Sequence, residues 1–568
     1  MRYTTRMFKP ICLICLLAVF LAGMVIGISV NAYAVPSNPS GGSENICDPA
    51  SQAWIYPIDA EANASDDRWA RFAWDGFVAL NWPKKIGGAP GEPDENTTIC
   101  DSPDATPSWL SWMQKEQLLL PDGASPGSWA DPTFGTPMYD PKDGGPVLPL
   151  LGALSKVSNP NLVDEFNEAF SHRPLLDQNG RFVLFEIYLN QSEFEYISQN
   201  RYYDAAKQYA AFATEPPSFR PFPDSGSPDE FDPPVELPDY ARQGAIELKA
   251  SWKQLTAEEV ASGRFFTRDV YYASNISATD PPCGPISIGL VGLHVLQLTP
   301  STKSTWFWAT FEQVDNVEVV ESNPTGLPSF NPGPNAEVCM PPYQDGYTCE
   351  ADACIPAETG KECPPPEVAA NLPPDVCNPD LSRVVNVSRV PEMAISPMVN
   401  GVNEEYQSQL PAPWKYYELV NTMQPDPMGT CCVPPDSTNT VNTCYMTNTT
   451  METYTQYYSF IDLPKCGDLA PAMSMNCTDC HAVASPLGAP RGEEGFPEPS
   501  YQIFTFMLNN AKSSCPSDLN YDGRIDGADL ALLLTMWSSK DGMYDIDEDG
   551  FVGGGDLGQL LGHWGKCS

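Results

Sequence analysis

Basic residues are scarce in this 568-residue sequence. Lys and Arg together number 31 against 73 Asp and Glu, and the formal net charge is −42. A surface with this charge repels phosphate backbones, so the composition argues against a nucleic-acid partner. It favours divalent cations and basic partners instead.

Histidine is scarcer still, with 4 copies, so a zinc site built on several imidazoles has few candidates. The sequence also lacks G-x-S-x-G, H-E-x-x-H, a glycine-rich phosphate loop and a dinucleotide fingerprint. Among the 73 carboxylates, none stands out as the acid pair of a glycoside hydrolase. These motifs therefore assign no enzymatic activity, and whether the protein is an enzyme stays open.

Long apolar runs are absent except for residues 11–30, which follow three basic residues and precede Ala32-Tyr33-Ala34. This pattern predicts a signal peptide over residues 1–34 that is cleaved, with an uncleaved anchor as the alternative. No other run is long enough to span a bilayer. We expect an exported protein in the periplasm, at the cell surface or outside the cell, without a membrane contact after cleavage.

Cysteine is plentiful, with 18 copies, which suits an oxidising compartment. Cys12 and Cys15 lie in the signal. Two more, Cys477 and Cys480, belong to a C-x-x-C-H motif discussed below. Fourteen then remain, an even number that permits seven disulfides, although their connectivity does not follow from sequence.

The chain divides by composition into an α+β multidomain arrangement. We predict a main body over 35–465, a short segment over 466–512 that carries C-x-x-C-H, and a C-terminal module over 513–568. Within the body, 215–239 is a proline- and acid-rich linker. Residues 323–382 form a cysteine- and proline-rich insertion held by disulfides, since such a segment buries little core.

Periodicity predicts the secondary structure of the body. Helices are expected at 65–85, 200–213 and 411–423, and a helix-like stretch at 501–511. Strands rich in β-branched and aromatic residues are expected at 181–190, 245–255, 264–273, 286–298 and 304–314. The strand-rich centre is therefore the expected rigid core of the body.

The last 55 residues contain two copies of an oxygen-rich loop, "DLNYDGRIDGAD" at 518–529 and "DIDEDGFVGGGD" at 545–556. Oxygen ligands at positions 1, 3, 5, 7, 9 and 12, with glycine at 6, wrap a seven-coordinate hard cation, which favours Ca²⁺ over Mg²⁺. The residue at position 7 contributes its main-chain carbonyl oxygen as a ligand. Gly553 at position 9 of the second loop has no side-chain ligand and leaves room for a water molecule. The predicted ligands are Asp518, Asn520, Asp522, Arg524, Asp526 and Asp529 in the first loop, and Asp545, Asp547, Asp549, Phe551 and Asp556 in the second.

The segments after the loops repeat at the same offset of 27 residues. Helical spacing gives each one an apolar face, which we expect to pack against its twin. We also predict a disulfide between Cys515 and Cys567, which bracket the module. The matching apolar residues are Leu530, Leu533, Leu534 and Trp537, and Leu557, Leu560, Leu561 and Trp564.

Residues 515–567 resemble type I dockerins, which are paired calcium loops with Asp at position 12, each followed by a helix. The resemblance implies two Ca²⁺ sites and a docking role toward a cohesin-like or cell-surface partner. Dockerins often carry Ser-Thr at loop positions 10 and 11. This chain has Gly527-Ala528 and Gly554-Gly555 there.

The motif Cys477-x-x-Cys480-His481 is typical of covalent haem c attachment, in which two thioethers hold the porphyrin and the histidine binds iron. Disulfides or another use of the two cysteines are the alternatives. Only residues 482–514 separate the motif from the calcium loops, too few for a haem domain of their own. We therefore expect the large body to cover the haem.

The sixth iron ligand is open. Met507 is the first candidate, with Met473, Met475, Met423 and Met398 as alternatives, although methionine is also a common core residue. His294 shares strand parity with Ile288, Leu290, Leu296 and Leu298, so it should face an apolar layer. It is either a core histidine or a distal haem residue.

The segments "AWDGFVALNWP", "GLVGLHVLQLTP", "WFWATFEQVDNV" and "CTDCHAVA" are similar to parts of exported bacterial proteins of the cytochrome c family. That resemblance implies haem binding and an unknown redox partner. The leading hypothesis is extracytoplasmic electron transfer or a related redox step. The alternatives are a docking or structural protein and a dockerin-borne carbohydrate-active hydrolase.

Overall fold

A computed structural model describes the chain in ranges separated by gaps. The described residues are 45–61, 64–120, 123–142, 144–151, 175, 177–179, 181, 183–272, 282–302, 306–318, 323, 325–331, 339–340, 361–362, 387, 394–423, 448–451, 481, 484–491, 501, 503–539, 544–547 and 551–567. Cys477, Cys480, Met473, Met475, Asp549 and most of the 323–382 insertion lie outside them.

The protein is α+β, with one large sheet and few helices. The helices are α1 (Asp66–Leu80), α2 (Lys115–Leu118), α3 (Gln191–Asn200), α4 (Ala205–Phe212), α5 (Ala257–Ser262), α6 (Pro397–Gln407), α7 (Gly527–Thr535) and α8 (Gly554–Gly562). The strands are β1 (Met113–Gln114), β2 (Gly127–Ser128), β3 (Asp131–Pro132), β4 (Met138–Tyr139), β5 (Leu148–Leu151), β6 (Leu184–Leu189), β7 (Ile246–Gln254), β8 (Thr267–Tyr272), β9 (Cys283–Gln297), β10 (Phe307–Gln313), β11 (Cys339–Met340), β12 (Lys361–Glu362), β13 (Tyr417–Met423), β14 (Arg524–Ile525) and β15 (Gly565–Lys566).

Nine strands form the main sheet in the order β1-β6-β7-β9-β8-β5-β4, with β10 and β13 branching from β9. The branch arises because β9 is 15 residues long. Its first half pairs with β8, its second half pairs with β10, and β7 runs along both. All neighbours are antiparallel except β5 and β8.

Helix α1 begins where Ser65 accepts a hydrogen bond from the Arg68 N–H, which satisfies a donor at the helix start. Its aromatic residues point to one side and pack on the first face of the sheet together with α6. Trp74 is fully buried: its ring stacks on Tyr406 and its indole N–H donates to Asn403 at 2.8 Å. This cluster, the first core, is the largest of the molecule.

The opposite face of the sheet carries the second core. Leu296 of β9, Trp308 of β10 and Met423 of β13 lie side by side on it, because they are Cα partners across the ladders. Helices α3 and α4 and residues 503–511 cover this face. The sheet therefore separates two apolar layers, and the second receives the segment after C-x-x-C-H.

A β-bulge in β9 changes which face its residues occupy. Ser251 of β7 pairs with Gly292 and Trp252 pairs with Leu290, so Val291 is the extra residue. Leu290 and Leu293, three residues apart, consequently both belong to the first core. The predicted alternation therefore holds for His294 with Leu296 and Leu298 but is wrong for Ile288 and Leu290.

Helix α1 and the strands β6, β7, β8, β9 and β10 confirm the corresponding predictions. The helix predicted at 200–213 is shorter, since α4 covers only Ala205–Phe212, and α3 (Gln191–Asn200), which ends before Arg201 with φ 57°, was not predicted. The helix predicted at 411–423 is wrong: a 3-10 turn at Trp414–Tyr416 leads into β13, which gains a full ladder with β10. Residues 501–511 are also not a helix, since only Met507–Asn510 forms a 3-10 turn.

Two further features bear on the predicted organisation. The proline-rich segment 215–239 packs Phe222, Phe231 and Leu237 into the second core. Among the described residues, no helix has the length and apolar character needed to cross a membrane.

Candidate functional sites

His481 is the one member of C-x-x-C-H among the described residues, and its ring lies against the second face of the sheet. The ring packs edge-on to Trp308, with centroids 4.4 Å apart, and against Phe506 at 5.0 Å. Nδ1 lies 2.8 Å from the carbonyl oxygen of Phe504. A carbonyl at this distance favours the tautomer with the proton on Nδ1, in which Nε2 carries the lone pair.

This arrangement fits haem ligation by His481. Metal-binding histidines commonly donate one ring N–H to a backbone carbonyl, which fixes the tautomer and orients the ring. The two aromatic rings pack against the imidazole of the partly buried His481 and restrict its orientation. Cys477 and Cys480, which would form the thioethers, lie outside the described residues.

The candidate sixth ligands of the haem iron lie on different faces of the main sheet. Met507 and Met423 are buried in the second core, the layer that also contains Trp308. Met398 packs on the first core, on the other side of the sheet. Of the three candidate methionines among the described residues, Met507 and Met423 therefore remain candidates for a site at His481.

His294 lies on the same face of the sheet as Trp308. Its Cα partners are Lys249 on β7 and Thr310 on β10, and Thr310 is two residues from Trp308 along the same strand. His294 is buried. Its neighbours across the ladders are polar, whereas Leu296 and Leu298 on the same face are apolar.

The two acidic loops share one hydrogen-bonding pattern. In each, the aspartate at position 12 accepts from the N–H groups of positions 2 and 3 with one oxygen and from that of position 9 with the other. The acceptors and donors are Asp529 with Leu519, Asn520 and Asp526, and Asp556 with Ile546, Asp547 and Gly553. The 27-residue sequence repeat is thus matched by a structural repeat.

Carboxylates converge in the second loop, where oxygens of Asp545, Asp547 and Asp556 all lie within 4.8 Å of one another. Three negative groups at this separation repel each other, and a bound cation relieves that repulsion. These residues therefore fit a divalent cation with oxygen ligands. Gly555 stands close by, because a Cβ built there would lie 1.6 Å from Asp547 Oδ2.

In the first loop, Asp518 is buried and accepts from the N–H groups of Asp522 and Gly523. Burial raises the pKa of Asp518, and the charges of Asp529 and Asp522 raise it further, whereas the two N–H donors oppose the shift. Cys515, Asp518 and Cys567 also lie together. The two cysteines form a disulfide, which confirms the predicted pairing and leaves no thiolate for a metal.

The apolar faces after the loops are only partly buried. Leu533 and Leu560 pack against each other's helices and are fully buried, as expected. The residues that follow each of these leucines by one position or by one helical turn are not buried. Leu534, Trp537, Leu561 and Trp564 are exposed.

Helix α4 joins the C-terminal module to the body. Asp204 at its start accepts from the Ser514 N–H, and the Ala205 N–H donates to the Lys512 carbonyl. Tyr209 stacks on Tyr521 of the first loop with ring centroids 3.8 Å apart. The module therefore packs on the body through its first loop.

The same helix also holds the segment around His481. Gln208 is fully buried and donates to the Leu508 carbonyl, while its side-chain oxygen accepts from the Leu487 N–H. Gly123 has φ 56°, and a Cβ at this position would lie only 2.7 Å from the Lys512 O and Ser514 N atoms, too close for any side chain. The chain after His481 is consequently fixed at several points.

Sequence analysis missed one polar feature of the second core, the buried carboxyls of Glu193 and Glu247. A signal existed in "AIELKASW", where a glutamate interrupts a strand of otherwise buried residues. It could not reveal the partner, because Glu193 comes from another element more than 50 residues away.

Other buried charges are paired within the body and need no ligand. Lys253 forms an ion pair with Glu259 at 2.6 Å and lies 3.4 Å from Asp177, and Arg264 makes two hydrogen bonds to Asp315.

Comparisons with protein-family models, curated proteins and solved structures gave no match to this chain.

Proposed function

We propose that the chain is an exported c-type haem protein that transfers electrons or serves a related redox step outside the cytoplasm. The observation that carries the proposal is the environment of His481, whose Nδ1 faces the Phe504 carbonyl at 2.8 Å. Iron would then be bound through Nε2 of His481, with the porphyrin attached through Cys477 and Cys480.

The haem, once attached through Cys477 and Cys480, supplies a one-electron redox centre. The chain's own residues do the rest. Phe504 fixes the tautomer of His481, while Trp308 and Phe506 fix the plane of its ring. Met507 or Met423 lies in the same apolar layer and could complete the iron coordination.

Attachment is tested by producing the protein in a host with c-type haem maturation and recording a pyridine haemochrome spectrum. Wild type should carry one covalent haem per chain, and Cys477→Ser/Cys480→Ser should carry none. A His563→Gln variant is the matched control, because His563 faces Ser517 in the C-terminal module and should retain full haem content. A correctly exported wild type without colour would refute the redox function.

A second candidate function is calcium-dependent docking by a dockerin-like module at residues 513–568. The observation that favours it is the group of exposed apolar side chains on the two repeats. Solvent-exposed aromatic and leucine side chains in equivalent places often mark a protein-binding surface. The residues are Leu534, Trp537, Phe551, Leu561 and Trp564.

Gly555→Ala should weaken Ca²⁺ binding at the second loop by about tenfold or more. Its Cβ would overlap Asp547 Oδ2, so Asp547 must turn away from Asp545 and Asp556. Titration followed by tryptophan fluorescence and calorimetry measures the affinity. Binding of a cohesin-like domain should fall in parallel if the module docks through its loaded form.

Gly554→Ala is the matched control, because a Cβ at Gly554 meets nothing within 4 Å. Both variants make the same change at the start of α8, so any cost to helix geometry is shared. Equal affinities of the two variants at the second loop would contradict the proposed role of Asp547.

A further inference from the structure

Three charged side chains meet where the turn before β6, strand β7 and helix α5 come together. Lys253 and Asp177 are 0% exposed, and Glu259 is 9% exposed. Lys253 Nζ lies 2.6 Å from Glu259 Oε1 and 3.4 Å from Asp177 Oδ2. These residues, here called the Lys253 triad, place an amine beside one carboxyl group that it can attack and a second that can accept its proton.

The surroundings of the Lys253 triad are apolar. The Phe265 ring centre lies 5.9 Å from Lys253 Nζ, and Phe265 belongs to a buried cluster with Leu255 and Phe330. Charges held in such a place have lost their hydration, so the conversion of an ion pair into a neutral amide removes an electrostatic cost. Exclusion of water also protects an amide, once formed, from hydrolysis.

The Asp177 carboxyl is held in a fixed orientation. Its Oδ1 accepts hydrogen bonds from the backbone N–H groups of Asn179 and Arg181, both at 2.8 Å. Two N–H donors on one oxygen stabilise the negative charge that develops there when a nucleophile attacks Cγ. Burial raises the pKa of Asp177, against the opposing charge of Lys253, and so favours the protonated acid that such an attack requires.

The turn that carries Asp177 is itself fixed next to β7. The Asp177 N–H donates to the Arg181 carbonyl at 2.8 Å, and the Gln178 N–H donates to the Ser329 carbonyl at 2.8 Å. Arg181 Nη1 donates to Gln254 Oε1 at 3.2 Å, one residue beyond Lys253 on the strand. The amine and the carboxyl are therefore held in contact by the fold, which favours a reaction between them.

We propose that the Lys253 triad forms an amide cross-link between Lys253 Nζ and Asp177 Cγ, with Glu259 as the catalytic acid–base group. The bond joins the turn before β6 to β7 covalently. Unlike the Cys47–Cys100 disulfide, it resists reducing agents. The inference does not depend on the proposed haem function.

The reaction needs no reagent from outside the triad. Glu259 takes one proton from the Lys253 ammonium, and the neutral amine attacks Cγ of protonated Asp177, so that the N–C bond forms and an electron pair moves to Oδ1. Glu259 then gives its proton to the Oδ2 hydroxyl, the Cγ–Oδ2 bond breaks and water leaves. The nitrogen passes its extra proton to Glu259. An ammonium, a carboxylic acid and a carboxylate thus become an amide, a water molecule and a carboxylic acid.

Peptide mapping by mass spectrometry of wild-type protein, after denaturation and reduction of its disulfides, tests the cross-link. The peptides that contain Asp177 and Lys253 should be joined, and the joined species should be lighter than their sum by the mass of one water molecule. Trypsin should not cleave after Lys253. Wild-type protein in which the two peptides separate with unmodified masses would overturn the cross-link, and this result needs no variant.

The role of Glu259 is tested by sampling newly synthesised protein at intervals. Glu259→Gln keeps the shape of the side chain but cannot accept a proton, so the cross-link should form at least about a hundredfold more slowly. Glu258→Gln is the matched control, because Glu258 is exposed on the same helix, and it should react as fast as wild type. Glu259→Gln with the wild-type circular dichroism spectrum and the wild-type rate would refute catalysis by Glu259.

Discussion

Trp74→Ala should lower the free energy of unfolding of the body by about 3–5 kcal/mol. The ring is fully buried in the first core, where it stacks on Tyr406 and packs edge-on to Phe77 and Phe311. Removing it opens a cavity between α1, α6 and the sheet that packed neighbours cannot close. Chemical denaturation followed by far-ultraviolet circular dichroism measures the loss.

Two variants give this measurement its controls. Trp74→Phe keeps an aromatic ring but removes the N–H donor to Asn403, so it should cost less, about 1–2 kcal/mol. Trp537→Ala removes the same side chain from an exposed position and should change stability by less than about 0.5 kcal/mol. Similar losses for Trp74→Ala and Trp537→Ala would contradict the assignment of the first core.

Removing the Cys515–Cys567 disulfide should destabilise the C-terminal module by about 4 kcal/mol. The bond closes a sequence separation of 52 residues, and the chain-entropy model gives about this value for such a loop. Its ends also adjoin the first loop, since Asp518 N–H donates to the Cys515 carbonyl and Cys567 N–H to the Gly523 carbonyl. A Cys515→Ser/Cys567→Ser variant should therefore also bind Ca²⁺ more weakly at the first loop.

The comparison variant is Cys47→Ser/Cys100→Ser, whose disulfide spans 53 residues and so carries the same chain-entropy term. It should lower the stability of the body and leave calcium affinity unchanged. Thermal unfolding with and without bound calcium separates the two effects. Loss of calcium affinity in both variants would point to a general destabilisation instead.

Local patterns predicted much of this fold, where the signal is contained in the segment itself. The apolar spacing of α1 and its Ser65 cap need no partner to be recognised, and the same holds for the aromatic, β-branched strands β7 to β10. The periodicity of residues 411–423 predicts a helix where the structure has β13, because the pairing of β13 with β10 is a long-range interaction that local periodicity does not contain. The bulge at Val291 is likewise set by the register with β7.

The candidate sites also differ in whether a local sequence pattern or a long-range contact defines them. Both acidic loops follow from ligand spacing within twelve residues, and Cys515–Cys567 followed from their position around the module. The surroundings of His481 depend on Trp308 and Phe504, which come from different parts of the chain. The burial of Glu193 and Glu247 likewise depends on α3 and β7, two elements that only the fold brings together.

The contacts of helix α4 fix the orientation of the C-terminal module relative to the body. It holds the residues after His481 on one side and the first acidic loop on the other, through Gln208 and Tyr209. A protein tethered by a loose linker tumbles and presents every side to its surroundings. Because α4 fixes the C-terminal module to the body, a partner bound to that module would hold the body in one orientation, with the same surface always exposed.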